Sequence, residues 1–456
     1  MAGGPAGADD ARSAWRRFLE RFPDTASVDL ILPDLAGIAR GKRLTADAFA
    51  AGLEGEFSFP SSLYGIDATG ANVAASGLVW EQGDADRPCL IDPTTFAPVP
   101  WRAGGSQVLG GLCEVDRRPF FAAPRAVLQS VAERFQNLGL TPVTALELEF
   151  FLLTEQRAAD GRPRPAQQDG CDVASAPGAV YGLDPLDACD GFLARLEGYC
   201  TSQELPAKSA VSEYAPAQFE INLGHVADPV RAADHAFLLK RAVKAAARAE
   251  GLQATFMAKP LADQAANGLH VHVSLRDERG NNRFARDQSA LHHAIGGLQA
   301  TMAEAMLLFA PNANSYRRLR PMSYAPTAPT WGHNNRTVAL RVPSGAPAAR
   351  RVEHRVAGAD ANPYLVLAAV LAGIHHGLEQ RLDPGAPVTG NAYAEVPPSL
   401  PLSWEAAIAA LAAAKVLPDY LGHPFCRLYR VCRAAERDRF DDMITPTEYA
   451  WYLGSV

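Results

Sequence analysis

The sequence contains no G-x-x-x-x-G-K-[ST] segment, no C-x-x-C pair and only six lysines in 456 residues. Without a P-loop, any bound nucleotide must be held by another architecture. The seven cysteines (Cys89, Cys113, Cys171, Cys189, Cys200, Cys426 and Cys432) are odd in number and scattered. That pattern excludes a disulfide framework or a cysteine zinc site and predicts reduced, buried thiols. Long apolar runs are also missing: the longest, 364–374 (YLVLAAVLAGI), precedes His375 and His376 and predicts a buried core helix, since a span needs about 20 residues. The opening residues, MAGGPAGADDARS, lack the charged-then-apolar order of a secretory signal. A net charge of −7 and a pI near 5.9 offer no electrostatic attraction to nucleic acid or anionic membrane. The expectation is a cytoplasmic protein with neither of those partners.

The composition, 48% hydrophobic and 20% charged, is that of a globular protein, and the length suits a large unit plus a smaller one. A tail is expected over 1–12, followed by an amphipathic helix over about 11–22. SVDLILPDLAGIARGKRL alternates apolar and polar residues around an Asp-Leu-Ala-Gly turn, which predicts a β-hairpin. Short strands, including VLGGLCEV, continue to about residue 113, so 13–112 reads as a small β-rich domain. From 113 to 456 strands and helices alternate, giving an α+β class. VTALELEFFLL, SEYAPAQFEINLG and GLHVHVSLRD read as strands; ADHAFLLKRAVKAAARAEG and WEAAIAALAAAKVL read as helices. The Pro- and Gly-rich stretch 155–180 reads as a surface excursion.

Glu147 and Glu149 in LELEFF, and His270 and His272 in GLHVHVS, have period-two spacing, so each pair shares a sheet face. A Glu-x-Glu strand is more often a solvated edge, but the apolar residues around this one would make burying its charge costly without a cation. Glu213 and Glu220 in SEYAPAQFEINL and Glu353 in ARRVEHR complete five carboxylates which, with His270, suit two Mg²⁺ or Mn²⁺ ions better than one. Between Arg317 and Arg355 stand eight arginines and no lysine. Codon bias explains arginine over lysine but not this density, and guanidinium groups bind phosphate and carboxylate oxygens in pairs.

The ordered motifs VTALELEFF, SEYAPAQFEI, ATFMAKP with NGLHVHVSL, NSYRRL, NNRTVALRVP and ARRVEHRVAGADANPYL resemble glutamine synthetase over nearly the whole chain. The resemblance implies an N-terminal β-grasp-like domain before a large catalytic domain with an antiparallel sheet and helices. It also implies ATP and Mg²⁺ or Mn²⁺ as cofactors, and a homo-oligomer, a dodecamer of two stacked hexameric rings, whose site a neighbour's N-terminal domain completes. By position, Glu149, Glu213 and Glu220 look like ligands of one metal, and Glu147, His270 and Glu353 of the other. Arg318, Arg355 and Gly268 fall on the glutamate side. Arg336, Arg341 and Arg351 face the ATP phosphates, with Arg318, Arg336 and Arg341 catalytic. His272 and Ser274 approach the nucleotide, and Tyr393 aligns with a tyrosine that is adenylylated in some bacterial members.

Ammonia-using members carry an aspartate where Phe59 stands and a glutamate where Tyr324 precedes Ala325 and Pro326; this chain has neither carboxylate. Ala265 and Ala266 replace an Asn-Gly pair that contacts the amino-acid substrate. The pattern resembles the γ-glutamylpolyamine synthetase branch and implies a ligase joining glutamate to a polyamine or alkylamine, with Phe59 and Tyr324 lining the acceptor pocket. The alternatives are an ordinary glutamine synthetase and a non-catalytic descendant of the fold.

Overall fold

Apolar residues in SVDLILP and charged ones in ARGKRLT build the expected hairpin, β1 (Ser27–Pro33) against β2 (Ala39–Thr45). The Asp34 carboxylate accepts the N–H groups of Ala36 and Ile38 at 2.9 and 2.8 Å, closing the turn. The structure is a computed structural model, described over residues 8–81, 83–166 and 180–456. Residues 8–12, expected in a tail, are the start of a helix spanning Ala8–Arg21. Asp9 and Asp10 in its first turn complement the helix dipole, a signal outweighed in the sequence by the small residues before it.

β3 (Phe57–Pro60), β4 (Asp86–Ile91), β5 (Ala97–Pro98) and β6 (Gly105–Leu112) complete the first sheet, in the order β2-β1-β6-β4-β3 with β5 beside β6. A hairpin, the helix Ala46–Glu54 and the parallel pairing of β6 with β1 give it the β-grasp-like form.

The second sheet contains β7 (Leu140–Thr154), β8 (Ala207–Ser212), β9 (Gln218–Leu223), β10 (Leu252–Thr255), β11 (Leu269–Asp277), β12 (Trp331–His333), β13 (Leu340–Val342) and β14 (Val352–His354). Its order is β12-β13-β14-β11-β7-β9-β8, with β10 also on β7. Every pairing is antiparallel except β12 with β13, a parallel pair at the edge. Strand alternation divides this sheet chemically. Leu146, Leu148, Phe150 and Leu152 of β7, and Leu269, Val271, Val273 and Leu275 of β11, are buried in the main core. The alternate positions carry the acids and imidazoles.

Three long helices, Pro229–Ala249, Gln288–Phe309 and Pro363–Gln380, contribute to that core. The last contains the 364–374 run, fully inside as its composition predicts. It meets Gln288–Phe309 at glycines, where a Cβ on Gly297 would lie 2.1 Å from the Gly373 carbonyl and one on Gly377 2.0 Å from that of His293. The helix expected over WEAAIAALAAAKVL stops at Ala412 because the Glu304 carboxylate accepts the N–H groups of Lys415, Val416 and Leu417, drawing the backbone away. Six cysteines are free and buried, while Cys171 lies outside the described residues. Of the expected excursion, 155–166 has neither helix nor strand, and 167–179 lies outside the described residues. Among the described residues, no helix is long and apolar enough to cross a membrane.

Candidate active site

The register of four adjacent strands assembles the acidic cluster. Glu147 stands opposite His270, and Glu149 opposite Glu220. Glu353 stands opposite both His272 and Arg341. Glu213 enters from the turn after β8, held by its N–H donating to the Gln218 carbonyl at 2.8 Å.

Glu149, Glu213 and Glu220 bring ligand atoms within 4.8 Å of one another, as do Glu147, His272 and Glu353, and Glu147, Glu220 and His270. The first trio is grouped as the resemblance implies. In the second, His272 rather than His270 joins Glu147 and Glu353. Its Nε2 is 2.8 Å from Glu147, whereas His270 Nδ1 lies 3.3 Å from Glu147 and 3.9 Å from Glu220, between the two trios. Arg351 Nε donates to His272 Nδ1 at 3.0 Å, which places the ring proton on Nε2, toward Glu147.

The protonation pattern suits cations. Burial and the carboxylates of Glu147, Glu149 and Glu213 push Glu220 up to about 9, and burial with Glu149 pushes Glu213 up to about 7. A divalent ion would restore both to the ionised form, and a set of carboxylates with an imidazole is the donor chemistry of Mg²⁺ or Mn²⁺. Burial opposes ionisation of Glu353, yet the Arg355 guanidinium and the nearby imidazoles hold its carboxyl at about 2. For Glu147, burial is outweighed by hydrogen bonds from His270 and His272, and its carboxyl falls below the usual range.

The arginines surround this cluster. Glu353 accepts from Arg341 Nη1 at 2.8 Å and from Arg355 Nη1 at 2.5 Å. The Nε atoms of Arg341 and Arg355 are buried without a partner, so each has a donor to offer an anionic group. Arg318 is buried and donates to the carbonyls of Val356 and Arg355 at 2.6 and 3.1 Å. Arg336 is exposed, and its charge acts on Glu213. Ser274 continues the His270–His272 face of β11, half-buried.

Gly268 donates its N–H to Glu149 at 2.6 Å, and a Cβ there would lie 2.9 Å from both Arg318 Nη2 and His270 Nε2. Gly268→Ala should therefore displace Arg318 and His270 on two sides and reduce kcat/KM by about a hundredfold, the order expected for a misplacement of about 1 Å. Steady-state kinetics with activity near wild type would show that the packing there yields freely. Ala265 and Ala266 precede Asn267, which is fully buried; its amide donates to the Met257 carbonyl and accepts from Gln218, so it shapes the loop.

Of the two expected acceptor residues, Tyr324 is 53% exposed and its ring centroid is 6.3 Å from that of Tyr214, next to Glu213. Phe59 is buried in the hydrophobic core at the β3 strand, with Lys42 Nζ 4.6 Å from its ring centre, because the strand's alternation turns it inward. Tyr393 donates its hydroxyl to the Ala325 carbonyl at 3.0 Å, bracing the same loop.

Sequence reasoning did not single out Tyr181 or Tyr214. Tyr181 donates its N–H to the Ser212 carbonyl, and burial and the Glu213 charge raise its hydroxyl above the ordinary value. The signal for Tyr214 was its place beside Glu213; Tyr181, just past the Pro- and Gly-rich stretch, gave none.

Residues 121–452 match the family described as glutamine synthetase, catalytic domain. The chain is 41% identical to gamma-glutamylputrescine synthetase PuuA of Escherichia coli, over 96% of this chain and 94% of that one. It is 31% identical to glutamate–isopropylamine ligase of Pseudomonas sp., over 97% of each chain. Among solved structures it resembles one titled GmaS/ADP complex, with a TM-score of 0.82 and 28% identity over 97% of this chain and 99% of that one. With its acids, imidazoles and arginines gathered on one face of an antiparallel sheet, the chain belongs to the glutamine synthetase family.

Proposed function

We infer that the protein is an ATP-dependent ligase joining the γ-carboxylate of glutamate to an amine. The observation that carries this is the cluster of five glutamates and two histidines flanked by Arg341 and Arg355, each with an unpaired buried donor. Relatives named for putrescine, ethanolamide and isopropylamine products or substrates support an amine over ammonia. The absence of a carboxylate at position 324 supports it independently.

Two Mg²⁺ or Mn²⁺ ions held by Glu149, Glu213 and Glu220, and by Glu147, Glu353 and a histidine, would supply positive charge against crowded phosphate oxygens. The chain's own residues do the remaining work. Arg341, Arg351 and the exposed Arg336 bind phosphate oxygens, while Arg318 and Arg355 hold the amino-acid carboxylates. The glutamate γ-carboxylate attacks the γ-phosphorus of ATP, and ADP leaves. The amine nitrogen then attacks the acyl carbon, phosphate leaves, and the amine proton passes to solvent or a neighbouring base. Glutamate-dependent ADP release across an amine panel tests this reading; release with no amine dependence would overturn it.

This reading includes a division at about residue 112 between an N-terminal unit and the catalytic unit, a cytoplasmic setting, and a homo-oligomer of stacked rings. The C-terminal segment supports assembly: Met443, Ile444, Trp451 and Leu453 are each more than half exposed, an apolar surface that a second copy would cover. Light scattering should find a large oligomer, and deletion of 443–456 should produce smaller species. A fully active monomer would contradict assembly as a requirement.

A further inference from the structure

Behind the site-bearing sheet lies a cavity of about 690 Å³ between the β1–β2 turn, the helix Pro229–Ala249 and the helix His423–Asp441. Its wall is cationic. Lys240, Lys244 and Arg248 recur every four residues on one helix face, and both ammonium groups lie near the Phe256 ring, at 5.5 and 5.9 Å from its centre. The side chains of Lys244 and Arg248 form no hydrogen bond or ion pair among the described residues. Burial, and after it the Lys244 charge, pushes Lys240 down to about 7.

Across the cavity stands Arg433, 1% exposed. Its Nη1 pairs with Glu436 at 2.9 Å, but its Nε and Nη2 are buried without partners. The carboxylates that share the lining are largely engaged. Glu436 Oε2 also accepts from the Ala68 N–H, Asp360 Oδ2 accepts from Asn312 and Ser315 while its Oδ1 is buried without a partner, and Glu155 is exposed. A fork-shaped guanidinium with two free donors, facing unpaired cations, matches a dianion with several oxygens.

We propose that this cavity is a second anion site, separate from the carboxylate cluster, that binds a phosphate-bearing small molecule. Its floor is shared with the active site. Lys240 Nζ donates to the carbonyls of Ala359 and Ala361 at 2.6 and 3.0 Å. On the other side of the same segment, Arg318 holds the carbonyls of Arg355 and Val356. The Leu269 N–H, next to His270, donates to the Ala357 carbonyl at 2.9 Å. An anion drawing Lys240 into the cavity changes how firmly 355–361 is held, which couples the two sites.

The test is calorimetric titration of inorganic phosphate into the full chain at fixed ionic strength, comparing wild type with the K244E/R248E double variant. Both substituted residues are exposed, so the variant should melt within a few degrees of wild type. The expected result is that one binding event weakens at least tenfold in the variant. Phosphate should also slow amide exchange over 359–361 in wild type and leave it unchanged in the variant. Superimposable isotherms for the two proteins would overturn the proposal, as would phosphate binding that leaves 359–361 unaffected. This result does not depend on the ligase reading, since neither measurement uses turnover.

Discussion

Glu353→Gln should lower turnover about a thousandfold or more, equivalent to about 4 kcal/mol of lost transition-state stabilisation. The side chain is 1% exposed, stands opposite His272 and accepts from Arg341 and Arg355. The amide keeps the shape but removes the one negative charge that both guanidinium groups share. Breaking a buried pair of this kind costs about 3–5 kcal/mol, so the melting temperature should fall as well. His270→Ala separates the two effects, since it removes a candidate ligand without unpairing an arginine. It should abolish activity with a smaller loss of stability, and both losses should be accompanied by weaker Mg²⁺ or Mn²⁺ dependence. Turnover within a few-fold of wild type in both variants would sink the metal assignment.

Acceptors should rank in the order opposite to that of an ammonia-using enzyme. Ammonium is small and cationic and needs a nearby carboxylate, but position 324 offers an exposed tyrosine paired with Tyr214. An alkyl or polyamine chain gains about 0.8 kcal/mol per buried CH₂. At equal concentrations of unprotonated amine, kcat/KM should be at least about tenfold higher for a suitable alkylamine or polyamine than for ammonia, a gap of about 1.4 kcal/mol. Tyr324→Glu should narrow that gap by placing a carboxylate where the aromatic ring stands. Ammonia proving the best acceptor across a broad panel would identify an ordinary glutamine synthetase.

Much of this arrangement was legible because strand periodicity is simple. Glu147 with Glu149, and His270 with His272, could be assigned to one face from their spacing, and the apolar residues between them to the core. Register between distant strands was not legible. It is set by pairing between strands far apart in the chain, and it decides that His272 rather than His270 stands opposite Glu353. The same limit applies to Phe59. Its replacement of an aspartate was visible in the sequence, but the direction of its ring depends on which face of β3 meets the core. Tyr181 escaped notice because nothing in its neighbourhood resembles a motif, and only the fold brings it to Glu213.

The cross-strand pairing of the cluster also constrains how the chain acquires its site. Glu147 and Glu353 come from strands separated, among the described residues, by five α-helices and by several hundred ångströms of extended chain, on the order of 3.3 Å per residue, and they meet only when β11 lies between them. Contacts this distant along the sequence form late in folding. No partly folded intermediate then presents a finished set of donors, and high-affinity cation uptake becomes a reporter of completed strand assembly. A one-residue slip of β11 would turn His270 and His272 toward the core, leaving a folded sheet blind to the ion.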